Sequence, residues 1–334
     1  MNLYTTLKQL CAMPALSGRE GGICALLKEK IEGLVDSAYV DTLGNLIALK
    51  KGRVGEEKIM LCAHMDEIGF LVNFIEDNGL IRVASVGGIS YTAYAYTNVI
   101  SEKGVRGVMA PNGDAKPDEI KQDTLYIDIG AKNKKEAERK VRIGDSFVGV
   151  GELYRLGSKR VAGRPLDDRV GCLALLALAE RLSGAELDAD VYFVFSVQEE
   201  VGCRGSKTAT YGIQPTTAIC FDVTRTGDLP GAKTMACSLG GGAAIKIKDS
   251  SVICHEEVVN ELTALAKENG IVHQKEVLTA GGTDTSSMQL TAGGAMVGAL
   301  SIPTRYIHTC TEVCDMGDVE ACIDLCEKYV LKRG

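Results

Sequence analysis

The hydrophobic rhythm of the chain changes at about Gly69 and changes back near Ser158, so one uninterrupted run of alternating strands and helices cannot describe it. Inside this stretch short apolar alternations (Phe70 to Phe74, Leu80 to Val86, Val105 to Met109, Leu125 to Ile129, Ser146 to Val150) are separated by turn signals such as Asn78-Gly79 and Asn112-Gly113. The one helical candidate there is the charged segment Lys134 to Lys140. Such spacing predicts a small β domain. Outside it the pattern is α/β. Ser17 with Glu20 reads as a capping box, and Ile23, Leu26, Leu27 and Ile31 follow at helical spacing. Val40 to Lys50 reads as a hairpin around Gly44-Asn45, and Ile59 to Ala63 as a buried strand. Beyond Gly163 come a helix over Asp168 to Leu182, buried strands over Val191 to Val197 and Thr217 to Phe221, a helix over Glu256 to Asn269 and a strand over Ala295 to Ser301. The expected fold is α/β, a central mixed sheet flanked by helices and made of residues 1–68 and 159–334, with residues 69–158 inserted as a small β domain.

Charge narrows the function. The 334 residues carry a net charge of -7, with lysines and arginines scattered among acids, which argues against a nucleic-acid partner. The N-terminus lacks a basic segment followed by an apolar one, and the longest apolar run, Cys172 to Ala179, is too short to span a bilayer. No membrane role and a cytoplasmic location are therefore expected. The 12 cysteines never stand two residues apart, and Cys62, Cys172 and Cys220 lie in apolar runs. Reduced, buried thiols in a reducing compartment are expected rather than a zinc finger.

Four segments share a feature that points to chemistry: a buried strand ending in an acid or a histidine. They are Ile59 to Ala63 before His64 and Asp66, Val191 to Val197 before Glu199-Glu200, Ala218 to Phe221 before Asp222, and Tyr306-Ile307 before His308. Ligands bind beyond the carboxyl ends of strands in open α/β sheets, so these ends can converge. Asp167-Asp168 adds a fifth acidic group directly before a helix. Each alone has an ordinary explanation: a hydrogen-bonded pair, a solvated loop, an N-cap or a structural histidine. Two of the chain's 4 histidines fall in the set, and the combination weighs against coincidence. Two imidazoles and three carboxylates suit two zinc or cobalt ions. A pair about 3.5–4 Å apart needs one bridging carboxylate and activates a shared water. A carboxylate that is not a ligand then carries the proton to the leaving amine, and adjacent glutamates can supply both a ligand and that base.

These residues sit in motifs that run nearly end to end: Pro14 to Gly18, Ala63 to Phe70, Asp167 to Gly171, Gln198 to Gly202, Asp222 with Gly227-Asp228, Gly281 to Asp284, and Ile302 to His308. The chain resembles the tetrahedral aminopeptidases, a family of glutamyl, leucyl and deblocking aminopeptidases, some carrying endoglucanase names, within the co-catalytic zinc exopeptidase clan. The resemblance implies a binuclear aminopeptidase acting on short peptides. Asp167 is implied as the bridging carboxylate, His64 and Asp222 as further ligands of one metal, and Glu200 and His308 as those of the other. Glu199 is implied as the general base, and Asp66 as the carboxylate that orients His64. Asp168 is implied to support the bridge. The inserted domain is implied to be PDZ-like and dimerising, and the assembly a hollow dodecamer built from dimers. The chain departs from the family's usual sequence at Thr309-Cys310 and at Ala243, and neither departure touches an implied ligand.

Two other readings compete. Another binuclear amidohydrolase, a deacylase or the endoglucanase of some family names, uses the same site class, but glycoside hydrolysis needs two free carboxylates. A non-catalytic metal-binding scaffold leaves Glu199 dispensable. No motif fixes the preferred N-terminal residue or the metal.

Overall fold

The computed structural model describes residues 1–113 and 115–333. Its main element is an 11-stranded sheet. The centre is four parallel strands, in the order Asp190–Ser196, Lys58–His64, Thr217–Thr224 and Met296–Arg305. Antiparallel strands extend both sides: Leu46–Lys50 and Ser37–Val40 at one edge, Glu312–Asp315, Arg160–Gly163 and Tyr154–Leu156 at the other. Ala243–Lys248 and His273–Val277 branch from Met296–Arg305.

Every residue of Thr217–Thr224 is buried, which requires cover on both faces. The helices Leu3–Cys11, Gly21–Ile31, Arg169–Leu182, Glu256–Glu268 and Met316–Arg333 pack as one group against the sheet, and Arg204–Ile213 with Thr285–Leu290 as another. Arg169–Leu182 is rich in alanine and leucine, strong helix formers, and 12 of its 14 residues are buried. Asp168 caps it, its carboxylate accepting from the Gly171 amide at 2.9 Å. Gly171 must be glycine, because a Cβ there would collide with the Asp168 carboxylate.

The inserted stretch forms a closed barrel in the order Gly69–Ile75, Ile81–Val86, Leu125–Asp128, Arg106–Pro111, Thr97–Ser101, Ser146–Gly149. Closure leaves no unpaired edge. The barrel has its own apolar interior, with Phe70 and Tyr94 edge to face at 5.1 Å, separate from the core around the large sheet. The hairpin Tyr154–Leu156 with Arg160–Gly163 belongs to the large sheet.

Several local expectations need correction. Ser17 and Glu20 form no capping box: Glu20 itself occupies the N-cap of Gly21–Ile31, and the Ser17 hydroxyl donates to Asp66 at 2.7 Å. The helix expected over Lys134 to Lys140 is one turn, Lys134–Ala137, and a second turn, Tyr91–Tyr94, had no periodic signal. Thr97–Ser101 was not expected as a strand. The 12 cysteines are all free and 9 are buried. No helix among the described residues is long and apolar enough to cross a membrane.

Candidate metal centre

Strand register brings the acids and histidines together. In the parallel pairing Ser196 lies beside His64, so the chain leaving Ser196 carries Glu199 and Glu200 past the His64 strand end. On the other side Cys220 pairs with Cys62, which places Asp222 level with His64 two residues on. Asp222 is inside its strand rather than just beyond it, because Thr217–Thr224 runs further than its apolar core suggested. His308 likewise does not end a strand. Met296–Arg305 stops first, and His308 sits in the turn before Glu312–Asp315 with a left-handed φ of 66°.

The resulting geometry has two halves joined by Asp167. One Asp167 oxygen lies 3.0 Å from His64 Nε2, and the other 3.3 Å from His308 Nε2. Glu200 approaches His308 Nε2 at 3.2 Å, and Asp222 approaches His64 Nε2 at 3.9 Å. Asp168 is joined to Asp167 by a cis peptide and groups with His64 and Asp222. Asp66 is fully buried: one oxygen lies 3.4 Å from His64 Nδ1, and the carboxylate accepts from the amides of Glu199 and Glu200 and from the Ser17 hydroxyl. One acid thus holds the His64 ring and the glutamate loop together. Glu199 faces the thiol of Cys203 at 3.4 Å, with Asp284 close by.

Two supporting residues were missed in the sequence. Glu312 accepts from the amides of Leu166, Asp167 and His308, at 2.6, 3.1 and 3.0 Å, and so fixes the backbone of both Asp167 and His308. Nothing in the sequence marks this role, since it acts on backbone atoms. Asp284 accepts from the hydroxyls of Ser196 and Ser206, and its signal was the Gly281 to Asp284 motif.

The electrostatics are those of an anion-rich pit. Burial, reinforced by neighbouring acids, raises the pKa of Glu199, Asp222 and Asp168 well above the ordinary carboxylate range. Burial acts on Asp167 in the same sense, but hydrogen bonds from His308 and His64 outweigh it and hold that carboxyl below the usual range. Burial would favour neutral imidazoles, yet contacts with Asp167 and Glu200 push His308 up to about 11, and contacts with Asp167 and Asp66 raise His64 as well. Burial and the Asp167 charge lift Glu312 to about 7. Negative charge outruns positive here, which favours the protonated forms of these groups and would equally favour a bound cation.

The donor set fits divalent metals. Ligands about 2.0–2.1 Å from a tetrahedral zinc stand roughly 3.3 Å from one another, close to the 3.0, 3.2 and 3.3 Å separations among His64, Asp167, Glu200 and His308. Imidazole nitrogen with carboxylate oxygen also suits borderline cations. The site opens into a cavity of about 410 Å³, which His64, Asp167, Glu199, Glu200, Asp222 and His308 all line.

The whole chain is similar to known aminopeptidases. A relative from Acetivibrio thermocellus is 44% identical over 327 residues, covering 97% of each chain, and carries an aminopeptidase name. The lysyl aminopeptidase of Pyrococcus furiosus is 34% identical, with 96% of this chain and 95% of the relative covered. The solved TET1 peptidase of Pyrococcus horikoshii, described as assembling into a tetrahedron or a large octahedral shell, superposes with a TM-score of 0.89 at 34% identity, covering 98% of this chain and 99% of that one. The profile of the M42 glutamyl aminopeptidases matches residues 44–325, and the chain belongs to that family of peptide hydrolases.

Proposed function

We propose that the protein is a cytoplasmic, binuclear metal-dependent aminopeptidase that removes N-terminal residues from short peptides. The observation that carries this reading is the Asp167 carboxylate, which offers one oxygen toward His64 and the other toward His308. Asp167 would bridge two zinc or cobalt ions, with His64 and Asp222 completing one site and Glu200 and His308 the other. When bound, such ions polarise the scissile carbonyl and acidify the attacking water. Glu199 takes the proton from that water and delivers it to the leaving amine, a role suited to a carboxylate that lines the cavity beside Glu200. Asp66 keeps His64 in one orientation and tautomer. Glu312 holds Asp167 and His308 in register through their amides.

The acid-rich cavity selects an ammonium group. Opposite charges 4 Å apart gain about 4 kcal/mol at an effective dielectric near 20, so the peptide is anchored by its free α-amine. The assembly we infer is a homo-oligomer built from dimers, up to a dodecamer, with the barrel inserted within residues 69–158 as a PDZ-like dimerisation domain and residues 1–68 and 159–334, joined in their sheet by Tyr154–Leu156, as the catalytic domain. The tetrahedral assembly named for the Pyrococcus horikoshii relative supports it. One assay tests the core of the reading: the same peptide free, N-acetylated and C-amidated, offered to metal-reconstituted protein. Acetylation should abolish cleavage, and amidation should barely alter it. Equal cleavage of the acetylated peptide would make the protein a different metallohydrolase.

A further inference from the structure

Glu199 has a neighbour that the reaction does not use. The amide of Cys203 donates to the Glu199 carbonyl at 2.9 Å, which closes one turn after Asp190–Ser196 and puts the two side chains, four residues apart, on one side of it. Cys203 holds that place with a left-handed φ of 51°, a conformation that a residue with a Cβ adopts at a cost and that clusters at functional sites. Its half-buried thiol donates to the Glu199 carboxylate at 3.4 Å, and both residues line the cavity of the metal centre. Asp284 lies behind them, 1% exposed, with its carboxylate fixed by the hydroxyls of Ser196 and Ser206. One ligand atom from each of Glu199, Cys203 and Asp284 lies within 4.8 Å of the other two.

This triangle has no counter-charge. Neither Glu199 nor Asp284 enters an ion pair among the described residues, whereas the buried acids Glu67 and Glu276 lie 3.4 and 2.6 Å from Arg164 and Lys246. Two close carboxylates withdrawn from water are costly without a cation. The donor set also differs from that of the centre beside it, since sulfur stands where the centre has imidazole. A tetrahedral ion about 2.3 Å from sulfur and about 2.1 Å from oxygen sets those two ligands roughly 3.6 Å apart, close to the 3.4 Å between Cys203 and Glu199. Thiolate selects soft or borderline ions over magnesium and calcium, which take oxygen ligands. Binding displaces the thiol proton, which passes to solvent. We propose that Glu199, Cys203 and Asp284 form a third cation site, for a thiophilic divalent ion such as cadmium or excess zinc, and that an ion held there disarms the enzyme by occupying its base. The site uses none of His64, Asp167, Glu200, Asp222 and His308, so it fills in addition to the centre. The site stands on its own geometry and charge; its inhibitory effect rests on the reading of Glu199 as the base.

The test titrates cadmium into full-length protein already loaded with its catalytic metals, beside Cys203→Ala, whose folding a thermal melt verifies. Metal analysis after gel filtration should find one more ion per chain in the wild type than in Cys203→Ala. The thiolate-to-cadmium absorption band of that ion should appear only in the wild type, and bound cadmium should shield Cys203 from alkylation, as mapped by mass spectrometry. Turnover of an aminoacyl substrate should fall about 100-fold or more as the extra ion binds, which is what losing a general base costs. Magnesium at the same concentration should have no such effect, and Cys203→Ala should need far more cadmium to lose activity. Equal cadmium content in the two proteins, an absorption band that survives in Cys203→Ala, or cadmium that replaces a catalytic ion instead of adding to it overturns the site. An extra ion that leaves turnover intact overturns the inhibition. Glu199→Gln, assayed in parallel, then separates the two readings: if it is slow the assignment of the base stands, and if it is near normal that assignment falls too.

Discussion

Glu199 and Glu200 are neighbours in sequence with different surroundings. Glu200 meets His308 at 3.2 Å, whereas Glu199 turns to Cys203 and Asp284. Replacing Glu199 by Gln keeps its shape and removes the base. Turnover should fall by about 10²–10⁴ while metal analysis still finds both sites filled. Near-normal turnover, or lost metal, would refute that division of labour. His308→Ala should instead loosen one metal and leave the other tight, because only one half of the site contains that ring; a titration with two equally tight metals contradicts the ligand map. The convergence of His64, Asp167, Glu200, Asp222 and His308 was legible in the sequence, as candidate ligands placed at or near strand ends and a helix start. Glu312 was not legible. Its partners are amides of Leu166, Asp167 and His308, and every residue has an amide, so no sequence pattern reports the contact.

At the level of elements, the site depends on how loops leave the sheet. Two non-glycine residues of the segment after Asp190–Ser196, Gln198 and Cys203, have left-handed φ values of 56° and 51°. Asp66 and Glu20 grip this segment by its amides: Asp66 takes those of Glu199 and Glu200, and Glu20 that of Gln198. This explains the failed capping box, since the Ser17 and Glu20 side chains are committed to the site rather than to a helix end. The four parallel strands were readable because continuous apolar runs survive only where both faces are covered. Thr97–Ser101 was not, because its burial is irregular and barrel closure, a non-local event, completes it. Two substitutions probe these supports. Glu312→Gln supplies one acceptor oxygen where three amides now donate, and metal affinity should fall about 10–100-fold in a chelator competition; unchanged affinity argues that Glu312 is only a packing residue. Gly88, reached from the barrel side, is subtler. A Cβ there would stand 3.2 Å from His308 Nδ1, so Gly88→Ala should displace the ring by a few tenths of an ångström and lower kcat/KM several-fold without unfolding the protein. An unaltered kcat/KM would mean that the turn carrying His308 yields freely.

For the molecule as a whole, the assembly proposed above predicts that light scattering finds a particle much larger than a dimer; a monomeric mass at several metal concentrations contradicts the assembly. The sharper molecule-wide consequence is the response of stability to metal and pH. Stability falls as pH rises wherever the folded state binds more protons than the unfolded one. Metal-free, the folded chain does so: burial first, then neighbouring acids, raise Asp168, Glu199 and Asp222 above their ordinary 3.8, 4.5 and 3.8. His308 acts in the same sense. Against the effect of burial, the Asp167 and Glu200 contacts raise it from 6.5 to about 11, so its stabilising charge is complete below 6.5 and is lost as pH climbs through that interval. Asp66 and Asp167 run the other way, with lowered values, but their contribution is already complete above 3.8 and does not vary at neutral pH. Chelated protein should therefore melt at a lower temperature at pH 8 than at pH 6. Each extra proton held in the folded state is worth about 1.4 kcal/mol per pH unit, or roughly 2 °C or more for a chain of this length. Metal-loaded protein should respond in the opposite sense, because protons compete with metal for His64, His308 and the carboxylates, so that higher pH tightens the site and the fold with it. Calorimetry of both forms at the two pH values decides the matter. A chelated protein whose melting temperature holds or rises between pH 6 and pH 8 would mean that the buried acids are neutralised by something other than metal.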